Sequence, residues 1–208
     1  PIPIGRLETR RLGAAGGIHV RTSPFDDRVC DIKFFDAQAL DMGKAQERKV
    51  EHMFFREDFR RVTYDDVGQI YDIPRIGEAY RDAFLAEVAH RRDLAAAHFK
   101  IVVNYSHGTG AQFLPQLLTE LGVDVFAINA VVSENVGSRT FEEFQQEMRE
   151  LAAITSTLGA SFGVTIDAGG EKVFFVDDRG RIAEDRHFLT AFVTLVARTT
   201  PGVVAVPV

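Results

Sequence analysis

The chain has a single cysteine, Cys30, among 208 residues. That excludes an intrachain disulfide and any cysteine-rich metal centre. Its six histidines, at 19, 52, 90, 98, 107 and 187, show neither HxxxH nor HxH spacing, so no zinc site built on such a pair is expected. No run approaches the ~18 consecutive apolar residues of a membrane span, and the N-terminus lacks a signal-peptide pattern. Cations are also scarce: 24 Lys and Arg face 30 Asp and Glu, a formal net charge of -6. Nucleic acid and anionic membrane are held by clustered cations, so neither is expected as a partner. The pairs Arg10-Arg11, Arg60-Arg61 and Arg91-Arg92 are scattered among acids and read as solvated helix faces. With so little cysteine, a reducing, cytoplasmic setting is expected, and Cys30 reads as a small buried thiol.

What is present is an alternation of strand-like and helix-like segments, the mark of α/β architecture. In the first half, Ile18–Arg21 and Asp31–Asp36 read as strands. Helical stretches follow near Gly43–Phe55, Glu57–Val62 and Gly77–Arg92, the last with Tyr80, Phe84, Leu85 and Val88 as a buried stripe. An alanine-rich stretch then leads to an apolar strand, Lys100–Asn104, and a domain boundary is expected near 95–98. Beyond it the order is helix Ala111–Leu121, strand Val123–Ile128, helix Phe141–Leu158, strands Gly163–Asp167 and Val173–Asp177, and helix Arg186–Arg198. Phe144, Met148, Leu151 and Ile154 share one helix face and predict core. Asp177-Asp-Arg-Gly180 predicts a hairpin turn to a short strand at Arg181-Ile182. The chain starts at Pro1 and stops in the apolar run Pro201–Val208, and it is expected to be part of something longer.

Three segments carry candidate chemistry. Tyr105-Ser-His-Gly-Thr-Gly110 joins a strand to a helix, where backbone amides can hold phosphate. It lacks the Walker lysine and the dinucleotide glycine spacing, so its glycines read as structural; Ser106 and His107, adjacent on a turn, do not read as a nucleophile and its base. In Gly163–Arg181, Asp167 and Glu171 bracket a Gly169-Gly170 turn between two apolar strands, a metal loop short of carboxylates. In Gly16–Asp36, a strand meets a Thr22-Ser23-Pro24 turn, a charged loop and a second strand.

The last two segments resemble the α-D-phosphohexomutases, the phosphomannomutase and phosphoglucomutase family. That family reads Gly-Gly-Ile, two residues, Thr-Ala-Ser-His-Asn-Pro, then after a short loop a Gly-(Ile/Leu)-Lys segment. Gly16-Gly17-Ile18 and Ile32-Lys33 match without a gap and place Ser23 on the family's phosphoserine. Arg21 and Thr22 stand for Thr-Ala, and Pro24, Phe25 and Asp26 for His-Asn-Pro. The family's Gly-Ile-Ala-Phe-Asp-Gly-Asp-Ala-Asp-Arg falls on Gly163–Lys172. Asp167 keeps the first metal-binding aspartate, Gly169 replaces the second, Glu171 the third, and Lys172 the arginine.

The resemblance implies two phosphohexomutase-type α/β units with mixed, mostly parallel sheets. Residues 1–95 would be the later part of domain I, so that the first unit is incomplete. Residues 96–208 would be domain II with the start of the connection to domain III. It also implies a catalytic position at Ser23, a metal position at Asp167 and Glu171, and hexose phosphate and the remaining domains of a longer chain as partners. The departures point the other way. Two carboxylates around a Gly-Gly turn hold magnesium weakly, and phosphoryl transfer depends on that charge neutralisation. Lys172 is expected to pair with Asp167 or Glu171, and Asp26-Asp27 to repel a phosphate on Ser23. The expectation is therefore a catalytically degenerate module with no cofactor, like the mutase-like tails fused behind mannose-1-phosphate guanylyltransferases. The alternative is an active mutase that uses magnesium in an altered loop.

Overall fold

The computed structural model describes residues 1–24, 26–133, 139–200 and 202–203. It divides into two compact units, residues 1–89 and a second that starts at residue 90.

The first unit is built on a hairpin. Strands β1 (Gly17–Thr22) and β2 (Cys30–Phe35) pair antiparallel, from Gly17 opposite Phe35 to Thr22 opposite Cys30. Only residues 23–29 join them, too few for the crossover that parallel pairing needs. The Ser23 amide closes this loop on the Val29 carbonyl at 2.8 Å. Among the described residues this is the unit's whole sheet, so the mostly parallel architecture belongs to the second unit. Helix α1 (Ile2–Arg11) lies against β1. Gly17 permits the approach, since a Cβ there would fall 2.5 Å from Thr9 Oγ1 and 3.0 Å from the Phe35 ring. Arg6 stacks 4.5 Å over the Phe35 ring and reaches Ala39 O and Asp41. Cys30 is exposed; alternation along β2 sets it with Ile32 on the face turned away from Asp31 and Lys33.

Helix α2 (Lys44–Phe55) ends where Glu57 turns left-handed at φ 52°, with Asp58 N bonded to Met53 O and Glu57 N to Phe54 O. That closure satisfies the last carbonyls and stops the helix, so Glu57–Val62 is not helical. The helix expected over Gly77–Arg92 is likewise divided. Helix α3 (Ile76–Glu87) stops at an extended Val88, and α4 (Arg91–Ala96) starts after a left-handed His90. Tyr80, Phe84, Leu85 and Val88 are half-buried rather than buried.

The second unit is a four-stranded sheet in the order β4-β3-β5-β6. Strand β3 (Lys100–Asn104) is central and parallel to β4 (Asp124–Ile128) and β5 (Phe162–Ile166), while β6 (Val173–Asp177) is antiparallel to β5. Val102 and Val103 alternate between the two faces, and each face has its own core. One forms around Val102, Met148, Leu151 and Val176 beneath α6 (Phe141–Thr157); the other forms around Ile101, Val103 and Tyr105 beneath α5 (Leu114–Glu120). A 3-10 turn over Thr109–Gln112 precedes α5, which restarts with Pro115 in its first turn, where a missing N–H does no harm. Thr140 opens α6 with a reciprocal cap: its Oγ1 accepts from Glu143 N at 3.2 Å and its amide donates to Glu143 Oε2 at 2.8 Å. Helix α4 belongs to this unit, because a Cβ on Gly122 would fall 2.7 Å from Ala95 Cα. The division thus falls at 89/90, ahead of α4, and not inside the alanine stretch. Helix α7 (Asp185–Thr199) stacks Phe188 on Phe175 of β6, with centroids 4.4 Å apart. Among the described residues no helix is long and apolar enough to cross a membrane.

Candidate functional site

In an open α/β sheet, ligands bind past the carboxyl ends of the parallel strands. In the second unit three segments lie there: 105–110 after β3, 129–133 after β4 and 167–172 after β5.

The 167–172 segment is a self-bonded turn. Asp167 N donates to Lys172 O at 3.0 Å and Gly170 N to Asp167 O at 2.9 Å, with Gly170 at φ 75°. The Asp167 carboxylate points back into the turn, where Oδ1 accepts the amides of Glu171 at 2.7 Å and Lys172 at 2.9 Å. Lys172 therefore reaches Asp167 through its main chain. Glu171 and Lys172 are exposed, and Gly169 is buried. Gly108 fixes the turn against the neighbouring segment, since a Cβ there would fall 2.7 Å from Ala168 Cα and 2.9 Å from its carbonyl oxygen.

The 105–110 segment rests on a polar network that sequence reading missed. Asn104 is buried, and its Oδ1 accepts from Ser106 N at 3.0 Å and Asn129 Nδ2 at 3.1 Å. Ser106, His107 and Asn129 are all left-handed, with φ near 50°, 56° and 49°. These non-glycine residues hold that conformation because their surroundings over-determine it. His107 N donates to Asn129 O at 2.9 Å, and its Nδ1 lies 2.9 Å from Val131 O. Arg139 Nη1 donates to the buried Ser106 Oγ at 3.3 Å and pairs with Glu147. Ser106 and His107 thus face different partners. Behind them, Tyr105 is buried with no hydrogen-bond partner for its hydroxyl among the described residues, and desolvation pushes that group up to about 12. The signal was present in Asn104 and Asn129, polar residues at strand ends, but only the parallel pairing of β3 with β4 brings them together.

In the first unit, Ser23 follows the last residue of β1 and is buried, at 7% exposure. Asp26 does not stand as an uncompensated charge beside it. Arg28 bonds both Asp26 carboxylate oxygens, at 2.9 and 2.8 Å, and holds that carboxyl below the usual carboxylate range. The expected repulsion from Asp26-Asp27 is therefore reduced to Asp27. Arg21 sits opposite Asp31 in the ladder, 3.6 Å away. Phe25 lies outside the described residues.

Magnesium needs near-octahedral oxygen ligands, usually carboxylates. In the 167–172 turn one Asp167 oxygen is occupied by two amides, the buried Gly169 offers no side chain, and Glu171 is exposed. Among the described residues no three His, Cys, Asp or Glu side chains converge as a metal site.

The family model of the phosphoglucomutase/phosphomannomutase alpha/beta/alpha domain II matches residues 78–180. The chain is 27% identical over 205 residues to a phosphoglucomutase/phosphomannomutase of Thermococcus kodakarensis, covering 97% of this chain and 44% of that protein. It is 24% identical over 196 residues to a phosphoglucosamine mutase of Methanocaldococcus jannaschii, covering 92% of this chain and 42% of the relative. A phosphoglucomutase/phosphomannomutase family protein of Burkholderia thailandensis shares the fold, with a TM-score of 0.75 at 17% identity over 97% of this chain and 44% of that one. The domain II match over residues 78–180, the relatives and the shared fold support the phosphohexomutase family for this chain. It spans less than half the length of the curated relatives it matches.

Proposed function

We propose that these residues form a phosphohexomutase-like module in which the phosphoryl-transfer groups have degenerated. The module serves a structural or hexose-phosphate-binding role within a longer protein of sugar-phosphate metabolism, of the mannose-1-phosphate guanylyltransferase type. The observation that carries the reading is the 167–172 turn: one oxygen of its inward Asp167 carboxylate accepts two main-chain amides, and glycine stands where a second ligand would be. A turn that satisfies itself keeps its shape without a cation, so the framework persists while the charge neutralisation that phosphoryl transfer depends on is lost. Retained framework with lost ligands is what selection for binding or assembly leaves behind. The test is to incubate the full-length protein with magnesium and hexose 1-phosphate. No turnover is expected; turnover abolished by Ser23→Ala would overturn the proposal.

The second reading is an active phosphomannomutase or phosphoglucomutase phosphorylated on Ser23. The Arg28–Asp26 pair favours it, because it removes part of the negative charge that would oppose a phosphoserine. Intact-mass spectrometry separates the two readings: stoichiometric phosphate on Ser23 belongs to the active enzyme only. The sugar stays a proposal at the level of hexose phosphate, since relatives of similar identity are described for different sugars.

A further inference from the structure

Helix α2 carries a groove of about 420 Å³ lined by Arg48, Lys49, His52, Met53, Arg56 and Asp58. It is open to solvent, and all six lining residues are exposed. Three permanent cations and an imidazole face one carboxylate, in a chain whose formal net charge is -6. The side chains of Arg48, Lys49, His52 and Arg56 have no hydrogen-bond or ion-pair partner among the described residues. Arg48, His52 and Arg56 follow each other at four-residue spacing on one stripe. At ~100° per residue, Glu51 borders the stripe three residues from Arg48 and Glu47 lies further round the helix, so the carboxylates flank only the Arg48 edge. Attraction to the helix C-terminus accounts for His52 and Arg56, but not for Arg48 and Lys49 in the first half of the helix.

We propose that this groove is an anion site for a ligand bearing two linked phosphoryl groups. It lies on an element that carries neither Ser23 nor the 167–172 turn. Two phosphoryl groups suit it better than one because Arg48 and Arg56 are eight residues apart, about 12 Å along the axis. A diphosphate engages both ends at once, with the fork geometry of each guanidinium matched to phosphate oxygens. Met53 supplies an apolar wall on one side. The inference stands apart from the proposed function, since it uses none of the same residues.

The test is isothermal titration of the full chain with pyrophosphate and, separately, inorganic phosphate in 150 mM chloride. Saturable 1:1 pyrophosphate binding is expected. Inorganic phosphate should bind at least threefold more weakly, and the double variant Arg48→Gln, Arg56→Gln should lose at least tenfold in affinity. The pair Arg91→Gln, Arg92→Gln on α4 removes the same charge and should leave affinity within twofold. All six lining residues except Met53 are polar and the helix buries none of its residues, so the variants should keep the parent melting temperature. Non-saturable binding, or equal weakening by the α4 pair, would overturn the site. Equal affinity for phosphate and pyrophosphate would overturn its diphosphate character.

Discussion

Gly163 on β5 offers a sharp test of how the second unit is held together. A Cβ at this position would sit closer to Thr155 Oγ1 than any van der Waals contact allows, and 3.2 Å from both Cγ and Cδ1 of Leu151. Neither neighbour can retreat. Thr155 and Leu151 are both fully buried on the inner face of α6, and the Thr155 hydroxyl is tied to Leu151 O at 2.7 Å. Gly163→Ala therefore forces the helix off the sheet or its side chains off their rotamers, which costs about 1–3 kcal/mol. The gain in strand propensity, ~0.5–1 kcal/mol, offsets only part of this. Thr155→Ala alone should cost about 1–2 kcal/mol through the lost hydrogen bond and methyl group. Because it also removes the atom that clashes, the double variant should be more stable than the sum of the singles by about 1–2 kcal/mol. The recovery stays incomplete, since the Leu151 carbons remain at 3.2 Å. Native-state hydrogen exchange of the β3 and β5 amides reads this unit separately from the first, avoiding a two-state assumption for a two-unit chain. A Gly163→Ala variant more stable than the parent, or strict additivity of the two changes, would refute the reasoning.

The remaining predictions concern the polar groups at the strand ends and the helix cap. Asp167→Asn should loosen the 167–172 turn, because the charge-assisted bonds to the amides of Glu171 and Lys172 weaken, by about 1–2 kcal/mol; faster exchange of those two amides checks it. Tyr105→Phe removes a buried hydroxyl that lacks a partner among the described residues and should be neutral or stabilising by about 1 kcal/mol, read as a raised melting temperature. The parent should also lose stability in base. The Tyr105 hydroxyl ionises at about 12 in the folded chain against 10.0 when exposed, so the unfolded state releases its proton first and stability falls as pH rises through 10 toward 12. Equal alkaline losses in parent and Tyr105→Phe would refute that assignment. Thr140→Ala removes the reciprocal cap of α6 and should cost about 1 kcal/mol, with fraying of the first turn seen in amide exchange.

Much of this molecule was legible in the order of its residues. From residue 100 onward the apolar runs are long, β-branched and separated by stretches of helical period, so strands β3, β5 and β6 and helices α6 and α7 stand within one or two residues of where that pattern puts them. The stripe of Phe144, Met148, Leu151 and Ile154 is core because a 3.6-residue period leaves those side chains nowhere else to go. Asp177-Asp-Arg-Gly180 makes its turn from local chemistry alone, with Asp177 accepting the amides of Arg179 and Arg181. Polar, glycine-containing α1 gave no such signal; it is helical where Ile2, Ile4, Glu8 and Thr9 find burial against the hairpin. The buried thiol expected at Cys30 fails for the complementary reason, because which face of a strand is covered is set by its neighbours and not by its own alternation.

The sequence by itself determined the family, the alternation of elements in the second unit, and which ligand types the 167–172 segment lacks. Those are properties of residue identity and short spacing. Only the tertiary structure decided that the Asp167 carboxylate turns inward to its own amides, that Arg28 neutralises Asp26, and that Asn104, Ser106, Asn129 and Arg139 join in one network. Hydrogen-bond direction and cross-strand pairing depend on groups brought together by the fold. No spacing along the chain encodes which oxygen is already taken.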